Sequence, residues 1–292
     1  MLSIQENIVM LRSDQINNNI NLSLMKGKRG VIMGVANDHS IAWGIAQSLS
    51  AAGAELAFSY QSQTLKKRVE PLAKELGSDL IYPCDVESSQ DIENFFSSIG
   101  KSWKNIDFLV HAIAFSDKNQ LKGNYYDTSK ENFIKTMLVS CFSFTEVVRE
   151  AQKLMVSGGS ILTLTFEGSN RVMPNYNVMG VAKAGLESSV RYLAADFGTR
   201  GIRVNAISAG PMRTLAGGGI ADARAMFNFQ KRHSPLQRTV TLSDIGGSAI
   251  YLLSELSAGV TGEVHYVDSG YNIISTPRPE MLHDESIYDN QD

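Results

Sequence analysis

The chain has 292 residues, 43% hydrophobic and 20% charged, with a formal net charge of −3. That is a globular balance, at a length that buries a sizeable core without disulfides or metals. No apolar run approaches the ~20 residues of a membrane helix, and the charge argues against nucleic acid as a ligand. Two cysteines, Cys84 and Cys141, suit a reducing cytoplasm better than a disulfide framework.

The −3 is unevenly spread: −1 over residues 1–24 and −4 over 276–292, which leaves +2 for 25–275. Residues 1–24, asparagine-rich and weakly periodic, read as a flexible N-terminal extension without the basic-then-apolar order of a leader. The Pro277/Pro279 segment reads as an acidic C-terminal tail. Between them, short apolar runs at Gly30–Met33, Glu55–Tyr60, Leu80–Cys84, Phe108–His111, Ser160–Thr165, Val204–Ile207 and Val264–Val267 predict buried parallel strands. Amphipathic stretches at Ser40–Ala52, Gln63–Leu76, Ser88–Gly100, Ser129–Leu154, Asn177–Phe197 and Ser243–Leu256 predict the helices, with Ser40 as one N-cap and Gly100 as one C-terminal stop. The alternation predicts one α/β domain over 25–275, a doubly wound (Rossmann) sheet of about seven parallel strands with helices on both faces.

The first strand runs into Gly34-Val35-Ala36-Asn37-Asp38-His39-Ser40-Ile41. In such a fold this turn holds a dinucleotide pyrophosphate on backbone N–H groups and the helix dipole. Gly34 permits close backbone approach, and Ser40 either caps the helix or bonds a phosphate. The second strand ends at Gln61, a neutral residue where an acid would select NAD and an arginine NADP, and the expectation leans to NADH. Asp85 and Val86 close the third strand, where a carboxylate can accept from an adenine amino group or cap the next helix.

Tyr176 and Lys183 are seven residues apart in a helical segment. That is just under two turns, so the side chains share a face ~10 Å apart along the axis. A cofactor ribose spans such a gap, and the lysine's charge is expected to lower the phenol's pKa. After the fifth strand of a nucleotide-binding chain, this pair resembles the short-chain dehydrogenase/reductase signature. The resemblance narrows with Gly34-x5-Ser40-Ile41-Ala42-x-Gly44, Pro174-Asn175-Tyr176-Asn177-Val178-Met179-Gly180-x-Ala182-Lys183, Arg203–Pro211 and Arg213–Ala216. Over about 25–275 the chain resembles the bacterial NADH-dependent enoyl-acyl-carrier-protein reductases.

The resemblance implies conjugate reduction of a trans-2-enoyl thioester in fatty-acid biosynthesis, by a cytoplasmic homotetramer. It implies Tyr176 as hydrogen-bond donor to the thioester oxygen and Lys183 on the ribose. It puts Gly34, Ser40, Ile41, Gln61, Asp85, Val86 and Ile113 on NADH, with Met212, Arg213, Thr214, Leu215 and Ala216 at its nicotinamide end. Ser116 and Met179 would join Tyr176 at the acyl substrate.

Two positions depart from the family's pattern. Phe166 stands where a second tyrosine is usual, ten residues before Tyr176, and Ala114 replaces a usual glycine. Catalysis is therefore assigned to Tyr176 alone. Gly217-Gly218-Gly219 introduces Ile220–Phe229, which reads as a mobile lid over an acyl chain. Arg224, Lys231 and Arg232 on or after it are read either as a docking rim for an acidic acyl carrier protein or as a solvated face. The five histidines have no ligand spacing and are assigned to no metal. Two other functions stay open: a carbonyl or 3-ketoacyl reductase using Thr163, thirteen residues before Tyr176, and a non-catalytic NADH-binding sensor.

Overall fold

The structure is a computed structural model that describes residues 23–212 and 223–276. The expected extension up to residue 22 and the acidic tail from residue 277 lie outside the described residues. Leu24 packs against the core, and Met25 is buried, its N–H donating to the Ala52 carbonyl at 3.0 Å.

Seven strands form one parallel sheet. They are β1 (Arg29–Met33), β2 (Glu55–Tyr60), β3 (Ile81–Pro83), β4 (Phe108–His111), β5 (Gly159–Thr165), β6 (Ile202–Ala209) and β7 (Val264–Val267). Their order is β3-β2-β1-β4-β5-β6-β7. The chain reverses direction across the sheet between β1 and β4, and dinucleotides bind in the crevice at that switch point. Register puts Met33 beside His111 and His111 beside Thr163, so β1 and β4 end together at the crevice and β5 runs two residues beyond them.

Helices α1 (Ile41–Ala51), α2 (Gln63–Glu75), α3 (Ser89–Ser102), α4 (Lys130–Met137), α5 (Ser143–Ala151), α6 (Asn177–Phe197), α7 (Ala223–His233) and α8 (Leu242–Leu253) cover the sheet. The apolar strands supply both faces, so the core divides in two. Val31, Leu109, Ile161 and Val204 point toward α3, α5 and α6; Ile32, Phe58, Val110 and Leu162 point toward α1, α2 and α8. This two-sided burial is why the strands read as continuous apolar runs.

Two local expectations are corrected. Gly100 lies inside α3, which continues to Ser102; the Phe95 and Ile99 side of the helix is buried in the core, and that packing outweighs the weak helix propensity of one glycine. The predicted helix over 129–154 is interrupted by a π-helical turn at Leu138–Phe142 between α4 and α5. Neither the composition nor the spacing of that segment signals the extra residue per turn.

Candidate active site

The turn after β1, the candidate phosphate site, follows from one glycine. Gly34 has φ of +104°, and a Cβ there would stand 2.1 Å from the Ala112 carbonyl oxygen. Only glycine lets the ends of β1 and β4 approach this closely at the switch point. Ser40 occupies the N-cap position of α1 but does not cap it. Its hydroxyl accepts from the Ala36 N–H at 3.0 Å and the Asn37 N–H at 3.1 Å, and donates to Asn37 Oδ1. Ser40 thus organises the turn, and the uncapped first turn of α1, starting at Ile41, is left to face an anion.

Gln61 Nε2 donates to Asp85 Oδ2 at 3.2 Å, joining the ends of β2 and β3. Asp85 Oδ1 accepts from the Glu87 N–H, while Ser88 caps α3. The alternative of Asp85 as the helix cap is therefore excluded. Val86 is buried in the core and Ile113 packs against the same cluster. Met212 packs against the other one. Arg213, Thr214, Leu215, Ala216 and the three glycines lie outside the described residues. The glycine cradle, the uncapped helix, the Gln61–Asp85 pair and the lysine described next all fit a dinucleotide.

Tyr176 and Lys183 come together as their spacing predicts. Tyr176 stands at the entrance of α6 and Lys183 on its second turn, and they are only 9% and 6% exposed. Asn175 and Asn177 on either side of the tyrosine adopt positive φ, 58° and 34°. Asparagine tolerates that region better than any other residue except glycine. The bend folds the phenol back against Gly168, where a Cβ would lie 2.5 Å from the ring. A Cβ on Gly180 would in turn lie 2.6 Å from the Gly168 carbonyl, so two glycines seat the tyrosine. Phe166 closes one side with its ring edge-on at 5.1 Å, and Met179 packs in the same small cluster.

Lys183 Nζ donates to the Leu164 carbonyl at the end of β5, at 2.8 Å. An ammonium has three donors, and two remain for a hydroxylated ligand. Burial lowers the lysine's pKa to about 8. Burial, then the charge of Glu187, pushes the Tyr176 phenol above its ordinary range. This corrects the expectation that Lys183 acidifies the phenol: in a dry site desolvation dominates, and Tyr176 remains a neutral hydrogen-bond donor.

Several functional groups were not visible to sequence reasoning. Glu187 is buried one turn beyond Lys183. His111 is fully buried at the end of β4, between Thr163 Oγ1 at 3.3 Å and Ser143 Oγ at 3.0 Å. The π turn presents Ser140, whose hydroxyl both accepts from the Phe115 N–H and donates to the Phe115 carbonyl, at 2.9 Å each. Ser116, the next residue, is also tied into the scaffold: it accepts from Thr136 Oγ1 at 2.9 Å and from Asn132 Nδ2 at 3.2 Å. These bonds fix the loop at Ser116, the residue expected at the substrate. Ala114 is exposed beside it. Thr163 is buried and donates to the His111 carbonyl at 3.1 Å, so its hydroxyl faces the core rather than a substrate.

A doubly wound sheet with a glycine cradle at its switch point and a buried tyrosine–lysine pair beside it defines a dinucleotide-dependent oxidoreductase. Comparison with known proteins narrows the class. A sequence model described as "Enoyl-(Acyl carrier protein) reductase" matches residues 34–272. The chain is 66% identical over 259 residues to "Enoyl-[acyl-carrier-protein] reductase [NADH] 2" of Rhizobium meliloti, covering 89% of this chain and 97% of that protein. Among solved structures, FabI from Candidatus Liberibacter asiaticus superposes with a TM-score of 0.87 at 60% identity, covering 88% of this chain and all of that one. The enoyl-acyl-carrier-protein reductase of Anaplasma phagocytophilum in complex with NAD gives 0.84 at 52% identity, covering 88% and 96%. The chain belongs to the enoyl-acyl-carrier-protein reductase family.

Proposed function

We infer that the chain reduces trans-2-enoyl-acyl-carrier-protein to the saturated acyl form with NADH, a step of fatty-acid biosynthesis. The observation that carries this is the buried Tyr176–Lys183 pair beside the dinucleotide crevice. Bound NADH supplies the hydride for the β carbon of the substrate. Tyr176 donates a hydrogen bond to the thioester oxygen, where charge builds as the conjugated system accepts the hydride. Such a donor contributes ~2.7–4 kcal/mol in comparable oxyanion sites, and burial of the phenol keeps its proton in place for that role. Lys183, anchored on Leu164, directs its two remaining donors at the ribose hydroxyls. Gly34, Ser40 and Ile41 shape the pyrophosphate turn, while Gln61 and Asp85 together bound the adenosine end. A carboxylate fixed there disfavours a 2′-phosphate, which supports NADH over NADPH.

Acyl carrier protein is the partner in this proposal. Lys231 and Arg232 are exposed and line one surface depression with Asn228 and Gln237, which supports a basic rim; the side chain of Arg224 lies outside the described ones. A homotetramer is supported by Ile134, Phe142, Val181 and Tyr192, large apolar side chains left exposed on the α4–α5 segment and α6. Among the described residues no helix is long and apolar enough to cross a membrane. Both cysteines are free and buried, which supports a cytoplasmic setting.

The test is steady-state NADH consumption by the purified protein with a short enoyl thioester or a 3-ketoacyl thioester. Turnover of the enoyl substrate alone is expected. Consumption with only the keto substrate points to the carbonyl reductase, and NADH binding without turnover of either points to the sensor. The core-facing Thr163 hydroxyl already deprives the carbonyl reductase of its distinguishing residue.

A further inference from the structure

Among the buried acids without a role in the mechanism above, Glu187 lies on the same helix as Tyr176 and Lys183. Glu187 is 5% exposed on α6, and its Oε1 accepts from Thr165 Oγ1 at 2.6 Å. Tyr176, Lys183 and Glu187 recur at intervals of seven and four residues, which on a helix lie on one stripe. Two consecutive residues at the end of β5 hold the lower part of that stripe: the Leu164 carbonyl takes Lys183 Nζ and the Thr165 hydroxyl takes Glu187. A buried carboxylate held by a single neutral hydroxyl is strongly disfavoured unless a charge of opposite sign is near. The buried cation one helical turn away is Lys183.

We propose that Glu187 is the counter-ion of Lys183, a positioning residue tethered by Thr165 that keeps the ammonium charged and directed at the cofactor ribose. This rests on the assignment of Lys183 to the ribose made above. Of the other ionisable groups around the lysine, the Cys141 thiol in the π turn supports its charge when ionised, but burial raises that thiol's pKa, so it is the protonated form that faces the lysine near neutral pH. His111 on β4 is buried and opposes the lysine when charged; Tyr176 shares the stripe, and Tyr266 on β7 feels the same carboxylate. Burial lowers Lys183, to about 8 in all, with the Cys141 and then the Glu187 charge opposing the fall. Without Glu187, the attraction of that carboxylate for the ammonium is lost.

NADH binding, followed by nucleotide fluorescence across pH 6–9, tests this without turnover. For the wild type the dissociation constant is expected to rise through a midpoint near 8. In Glu187→Gln, which keeps an oxygen for Thr165, the midpoint is expected to fall by about one unit. That makes binding about fivefold weaker at pH 8 and nearly unchanged at pH 6, because only the charged fraction binds. Glu187→Asp should move the midpoint back toward the wild-type value. Thr165→Val, which removes the tether at constant volume, should shift it in the same direction by less, and serves if Glu187→Gln does not fold. An unmoved midpoint in either variant overturns the proposal. Lys183→Met at pH 6 is the separate control: wild-type NADH affinity in that variant overturns the ribose assignment itself, whatever Glu187 does.

Discussion

Phe166 meets Tyr176 edge-on, ring centroids 5.1 Å apart with 68° between the planes. The aromatic that replaces the family's second tyrosine therefore supports the first one without donating a hydrogen bond. Tyr176→Phe keeps this contact and removes only the hydroxyl, so kcat on an enoyl thioester should fall about a hundredfold, the effect of one oxyanion donor. Phe166→Tyr should change kcat by less than about tenfold. Full activity of Tyr176→Phe on every enoyl substrate would show that the hydrogen-bond donor lies elsewhere.

Gly168 and Tyr176 are packed too closely for any side chain between them. A methyl at 168 meets the ring at 2.5 Å, and overpacking of this kind costs about 1–3 kcal/mol. Gly168→Ala should lower the melting temperature and depress kcat more than KM, since the phenol is displaced from its donor position. A kcat equal to wild type would show that the ring's seat is not what sets its reach.

Gly34→Ala is expected to be worse. Its Cβ meets a backbone oxygen at 2.1 Å and its φ is +104°, so neither a rotamer change nor a small shift relieves it. Backbone strain alone is about 1–3 kcal/mol. Reduced thermal stability and weakened NADH binding should appear together, and a variant that melts and binds like wild type would remove Gly34 from the cradle.

His111 is expected to lower the protein's stability in acid. Burial, reinforced by the Lys183 charge, lowers its pKa from 6.5 to about 3. The folded state thus binds fewer protons than the unfolded chain between those values. Stability from this group is complete above pH 6.5 and is lost as pH falls, about 2 kcal/mol by pH 5. Asp244, held by Arg238 at about 2 against an ordinary 3.8, contributes only below that window. His111→Gln should flatten the decline in melting temperature between pH 6.5 and 5; an unchanged slope would assign the acid lability to other groups.

Much of the architecture was legible because it is written in short-range patterns. Runs such as Phe108–His111 and Val264–Val267 match their strands end for end, and Asn177–Phe197 matches α6. Apolar continuity and turn residues are local properties, and they suffice for a parallel sheet buried on both faces. The Tyr176–Lys183 pair was legible for the same reason, since a helix converts spacing into direction. Ser40 was placed correctly at the start of α1 but with the wrong bond. The nearby Ala36 and Asn37 N–H groups, brought round by the turn, compete for its oxygen.

What the linear order determined by itself was the repeat of strands and helices, the phosphate turn and the stripe carrying the tyrosine and lysine. Only the tertiary structure decided which hydroxyls are free and which charges are tolerable. Thr163 and Ser116 look equally available in the chain, yet one is bonded to His111 across the sheet and the other is held by Thr136 and Asn132. The phenol of Tyr176 rises rather than falls in pKa because burial, a property of the whole packed core, exceeds the influence of any one neighbour. Spacing along a helix gives direction; the cost of desolvation is set by everything packed around it.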